Sequence, residues 1–137
     1  MLKERVTRWL QTRLINPLVV RHAGDIGNRY ALLETVGRKT GVPRQMPVGN
    51  GLQGDVFWIV SGHGPSAYYM RNIETNPHVR IRVEGHWRAG IARAMPDDDP
   101  AVRLRELDPR TAAEVKRMGS HLLSVRVDLD PMSRSRE

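Results

Sequence analysis

The chain of 137 residues contains no cysteine. Disulfides, thiolate metal sites and a cysteine nucleophile are therefore excluded, and a cytoplasmic location is the expectation. No stretch approaches the roughly 20 apolar residues of a membrane-spanning helix, and no charged-then-apolar signal opens the chain. Acidic residues are in deficit: 15 Asp and Glu against 22 Lys and Arg leave a net charge of +7. That balance favours an anionic partner: nucleic acid, a phosphorylated cofactor or an anionic membrane surface. Aromatics are scarce, with one Phe, three Trp and three Tyr, and Phe57 and Trp58 lie in an apolar run. A nucleic-acid module would need aromatics on an exposed strand face for base stacking, so no nucleic-acid partner is expected.

The length suits one domain over residues 1–137. Residues 1–16 carry an amphipathic helical pattern, with Leu2, Val6, Trp9, Leu10 and Leu14 at helical spacing and Lys3, Arg5 and Arg8 on the other side. Such a helix lies on a membrane or a partner, or packs its apolar stripe on its own domain; the pattern leaves both uses open. Asn16-Pro17 stops it. The tail 132–137 is expected to fray.

Strands are expected at Tyr30–Val36, Gln45–Val48, Asp55–Ser61, His78–Val83, His86–Met95 and Leu122–Leu129. Ser66 is placed to cap a helix from Ala67 to about Thr75, with Tyr69, Asn72 and Ile73 on one face. Asp97-Asp98-Asp99-Pro100 is a helix-start signal, and a second short helix follows over Thr111–Met118. In the second of the paired strands Trp87, Ala89 and Ile91 alternate with polar neighbours, one face of this meander being wet. The expectation is a mainly β fold with helices, about six mostly antiparallel strands forming a small barrel or strongly curved sheet.

The stretch from Leu32 to Val48, LLETVGRKTGVPRQMPV, reads as strand, tight basic turn, strand. Gly37 and Gly41 bracket Arg38, Lys39 and Thr40, with Arg44 three residues further on. Two cations, a hydroxyl and turn N–H groups can grip a phosphate or carboxylates; a solvated turn would show the same composition. No P-loop pattern is present. The histidines (His22, His63, His78, His86 and His121) have no convincing ligand spacing, so no metal is expected. No nucleophile elbow, triad order or carboxylate pair can be read, and catalytic residues are unassigned. An enzyme built on this chain would rely on a cofactor for its chemistry.

The order LLETVGRKTGVPRQMPV, WIVSGHG and YYMRNIETNPHVRIRVEG resembles the deazaflavin-dependent nitroreductase family, over roughly residues 30–95. The resemblance implies a split β-barrel, flavin-reductase-like, that binds the deazaflavin coenzyme F-420. Position by position it implies that Arg38, Lys39, Thr40 and Arg44 hold the phosphate and glutamate-bearing tail. Met46, Pro47 and Val48 match the strand beside the ring; Ser61, Gly62 and His63 match the loop that approaches it. Asn72 matches the family's helix asparagine, and Tyr69 stands where many members have tryptophan. Gly49 departs from a position that can be aromatic, and the tyrosine-rich C-terminal segment is replaced by TAAEVKRMGSHLL.

The implied activity is hydride delivery from reduced deazaflavin to a small quinone, nitroaromatic or enone acceptor. Alternatives are an FMN-binding oxidoreductase on the same barrel, or a non-catalytic deazaflavin carrier or membrane-surface protein contacting the inner face of the membrane through residues 1–15. Monomer and homodimer are both open.

Overall fold

The computed structural model describes residues 21–118 and 121–131. The expected N-terminal helix and the 132–137 tail lie outside these residues. The described residues form seven strands: β1 Tyr30–Val36, β2 Pro43–Gly49, β3 Leu52–Gln53, β4 Val56–Ser61, β5 His78–Val83, β6 His86–Met95 and β7 Leu123–Leu129. Helix α1, Tyr68–Thr75, follows β4; α2, Pro100–Arg105, and α3, Pro109–Met118, lie between β6 and β7.

The pairings between these strands are all antiparallel, in the order β2-β1-β5-β6-β7-β4-β3. β2 and β3 follow one another in the chain yet sit at opposite ends of that order. They are one segment bent at Asn50-Gly51, the first half laddered to β1 and the second to β4. The bend wraps the sheet into a split barrel and explains why the sequence reads as six staves. It also demands glycine: Trp58 N donates to Gly51 O at 3.0 Å, and a Cβ on Gly51 would lie 2.1 Å from Trp58 O. The two-residue β3 has no hydrophobic period of its own and is missed by pattern reading.

Inward side chains follow the strand period. Leu33, Phe57, Ile81, Val83, Val125 and Val127 are buried in one core, joined by Tyr69, Met70 and Ile73 of α1. A second cluster, Val60, Leu104 and Leu107, seats α2 and α3 outside the barrel. The acidic start of α2 behaves as expected: Asp99 Oδ1 accepts from Ala101 N at 3.0 Å, with Pro100 in the first turn.

Two expectations need correction. Ser66 does not cap α1; the N-cap is Ala67, with no side-chain bond, and Ser66 Oγ instead donates to His63 O at 2.8 Å. In β6 it is Arg88, Gly90 and Ala92 that face inward, while Trp87 and Ile91 are exposed. At Gly90 the interior is too narrow for a large side chain. Even a Cβ on Gly90 would lie 2.7 Å from Asp128 O and 2.9 Å from Val127 Cγ1.

Candidate functional site

The basic turn is built from its own backbone. Gly37 N donates to Val42 O at 2.9 Å and Gly41 N to Gly37 O at 2.8 Å, while Gly41 takes φ +73°, a conformation open mainly to glycine. Thr40 Oγ1 accepts from Val42 N at 3.2 Å, so this hydroxyl shapes the turn. Lys39 is exposed at the tip.

Arg38 is held from α1. Its backbone N–H and its Nη1 both donate to Asn72 Oδ1, at 3.2 and 3.0 Å, and its guanidinium lies 4.9 Å over the Tyr68 ring. Asn72 Nδ2 donates in turn to Thr35 Oγ1 at 3.1 Å. Arg44 stands opposite Thr35 across the β1–β2 ladder and is exposed. Met46 and Val48, opposite the inward Leu33 and Ala31, share the interior face. Pro47, opposite Leu32, points to the other side.

The loop after β4 is held from within. Ser61 is buried, and its Oγ donates to Gly64 O at 2.9 Å. Tyr69 is buried beside it; burial pushes its hydroxyl up to about 12, and the contact with Ser61 opposes that rise. Both are walls of the fold. Gly62 O accepts from His121 N at 3.4 Å, and His63 is exposed. Among the described residues no three His, Cys, Asp or Glu converge on a metal site; His78 and His86 lie at opposite ends of their hairpin, paired with Ile91 and Val83.

Charge pairing separates the cations into two groups. Arg29, Arg80, Arg82, Arg88, Arg93, Arg103, Arg110 and Arg126 each pair with a carboxylate. Among the described residues no ion pair includes Arg38, Lys39, Arg44 or Arg71, nor the scattered Arg21, Arg105, Lys116 and Arg117. Arg71 and Tyr68 were not singled out by the sequence. The signal lay in the helix period: once Tyr69, Met70, Asn72 and Ile73 face the core, Tyr68 and Arg71, three apart, share the outer face beside the turn. Unpaired cations, one of them fixed by a buried amide, suit a ligand carrying a phosphate and carboxylates. A cavity of about 380 Å³ borders the turn, lined by Thr35, Val36, Pro43, His78, Val79 and Ile91 among others.

The departure at Gly49 has a steric cause. A Cβ there would meet Thr111 Cγ2 at 2.9 Å and Leu107 Cδ1 at 3.1 Å, because α3 packs over this face. α3 is tied down by Glu114, which accepts from Arg29 Nη1 at 2.5 Å and Tyr30 Oη at 2.8 Å. Burial, and then the Glu114 carboxylate, push the Tyr30 hydroxyl up to about 12.

No curated protein sequence matches this chain. Solved structures do. An F420-H2 dependent reductase matches with TM-score 0.58 and 19% identity over 80% of this chain and 98% of its own. Another F420 reductase matches with TM-score 0.54 and 20% identity over 76% and 88%. A heme storage protein from Vibrio cholerae matches with TM-score 0.58 and 15% identity over 77% and 84%. At these identities the likeness shows the shared fold. The model of the F420H(2)-dependent quinone reductase family matches residues 5–130. The chain therefore belongs to that family and is an oxidoreductase whose cofactor is the deazaflavin coenzyme F-420.

Proposed function

We propose that the turn end of the barrel grips the anionic part of coenzyme F-420, and that the enzyme reduces a small planar acceptor such as a quinone, nitroaromatic or enone. The observation that carries this reading is the group of cations, Arg38, Lys39, Arg44 and Arg71, without a carboxylate partner among the described residues. Elsewhere among the described residues arginine stands beside a carboxylate that neutralises it, apart from Arg21 and the helix-end cations Arg105, Lys116 and Arg117. A phosphate monoester needs fewer charges than this turn offers; a phosphate followed by carboxylates uses them all.

When bound, the coenzyme supplies hydride chemistry. The chain's own residues bind and orient it. Arg38, its guanidinium held against Asn72, presents its remaining N–H groups, while Lys39, Arg44 and Arg71 are free to follow a flexible tail. Met46, Gly62 and His63 offer the surface against which a ring would rest; Thr40, Ser61, Tyr69 and Pro47 support that surface from behind or from its far side. Binding energy collected at the tail orients a reacting ring at a distance. The basic, amphipathic pattern of residues 1–15 also supports peripheral contact with an anionic membrane; co-sedimentation with anionic vesicles should be lost when the chain is started near Pro17.

The test is a fluorescence-quenching titration with coenzyme F-420 and with FMN, followed by oxidation of reduced coenzyme in the presence of a quinone. Saturable binding of the deazaflavin, markedly weaker FMN binding and quinone-dependent turnover are expected. Tight FMN binding with none of the deazaflavin would favour an FMN enzyme, and tight deazaflavin binding without turnover a carrier.

A further inference from the structure

The pairing of β1 with β5 ends at Glu34 opposite Arg80. Yet β1 continues to Val36 and β5 begins at His78, so Thr35 and Val36 run on without a partner in β5. The strands part there, and the cavity beside the turn occupies the gap. The last residues of β1, which lead directly into the basic turn, therefore lack β5 as a support.

Asn72 fills that role from the other direction. Its side chain is fully buried, with Nδ2 on Thr35 Oγ1 and Oδ1 on both Arg38 N and Arg38 Nη1. The amide orientation is dictated by chemistry: Oδ1 faces two donors, and a flipped amide would set N–H against N–H. With its oxygen doubly engaged and its side chain enclosed, Asn72 has no reach to a ligand. We infer that Asn72, anchored on Thr35, is a positioning residue that acts through Arg38, holding the main chain and guanidinium of the anion grip where the barrel wall has opened. This rests on the reading of the turn as that grip.

The test uses the full chain and two readouts. The first is hydrogen exchange of the Arg38 amide in the ligand-free protein; the second is coenzyme F-420 affinity. Wild type should show a protected Arg38 amide. Asn72→Ala should release that amide and weaken binding about tenfold, the size of one lost charge-assisted bond. Asn72→Asp should keep the amide protected yet weaken binding by about tenfold or more, because a carboxylate now neutralises Arg38. Thr35→Val should give a smaller loss of both. A merely structural role predicts lower stability with unchanged affinity, so wild-type affinity in Asn72→Asp overturns the inference. Rapid exchange at Arg38 in wild type overturns it as well, even if no coenzyme binds. Absence of coenzyme binding by a wild type with a protected Arg38 amide would sink the proposed function and leave the brace supported.

Discussion

The barrel wall and the basic turn use the same side chains to opposite ends. On the wall, arginine is neutralised where it stands. Arg80 binds Glu34 at 2.8 Å and Arg88 binds Asp55 at 2.6 Å, and on α2, packed against the wall, Arg103 binds Asp98 at 2.9 Å while stacking 3.6 Å over Trp58. At the turn, Arg38 is positioned by a neutral amide, which orients the guanidinium and leaves its charge unspent. Neutralised arginines hold elements together; an oriented but uncompensated one is ready for an anion. Net charge alone therefore says little, and the distribution of partners separates cations that hold the fold together from cations left available to a ligand.

Several substitutions would break this contrast, the largest effect coming from Arg88. Its side chain is only 8% exposed, it binds Gly54 O and Asp130 O as well as Asp55, and its Nε has no partner among the described residues. Arg88→Ala should cost about 3 kcal/mol of stability through lost packing and orphaned acceptors, read as a lower midpoint in denaturant, with coenzyme affinity of the folded protein intact. Lys39→Gln or Arg44→Gln should do the reverse: each should weaken coenzyme binding by about 1–2 kcal/mol and leave the denaturation midpoint unchanged.

Titration sharpens the contrast on the wall side. Tyr30 and Tyr69 both have hydroxyls raised to about 12. A raised value means the folded state keeps its proton longer than the unfolded chain, whose tyrosines ionise at 10.0. Their contribution to stability is complete below that value and disappears as pH climbs towards 12. Tyrosinate absorbance from these two should therefore appear late and together with unfolding. Glu34 runs the other way. The Arg80 bond holds its carboxyl below 4.5, so its contribution is present above that pH and lost as pH falls through the depressed value. The smallest effect belongs to Arg80→Gln, at under about 1 kcal/mol, since the arginine of the pair is half exposed and screened.

Much of this was legible in the sequence. β1, β5 and β6 have the bounds that their alternation implies, and the acid-then-proline start of α2 is a local signal that survives any tertiary context. The inward face of β6 was not legible, because the available width inside the barrel, set by Val127 and Asp128 of β7, outweighs the hydrophobicity of Trp87 and Ile91. The site divided similarly. Sequence brought Arg38, Lys39, Arg44 and Asn72 forward, and the fold gathers Arg38 and Asn72 into one network with Arg44 across the ladder from Thr35. Tyr68 was passed over for Tyr69, since which of two adjacent tyrosines meets the core depends on the phase of α1. Thr35 carried no signal, because a strand threonine reads the same whether or not an amide lands on it.

On the proposed function, the cations of the turn stand without carboxylate partners because an anionic coenzyme tail is to bind there. That reading is tested most directly by coenzyme F-420 affinity across a range of salt concentrations, in wild type and in the Arg38→Ala, Lys39→Ala double variant. Exposed ion pairs are screened by salt, so wild-type affinity should fall steeply as salt rises. The double variant should bind more weakly at low salt and show a shallower dependence. Equal affinity and equal salt dependence in the two proteins would contradict the account.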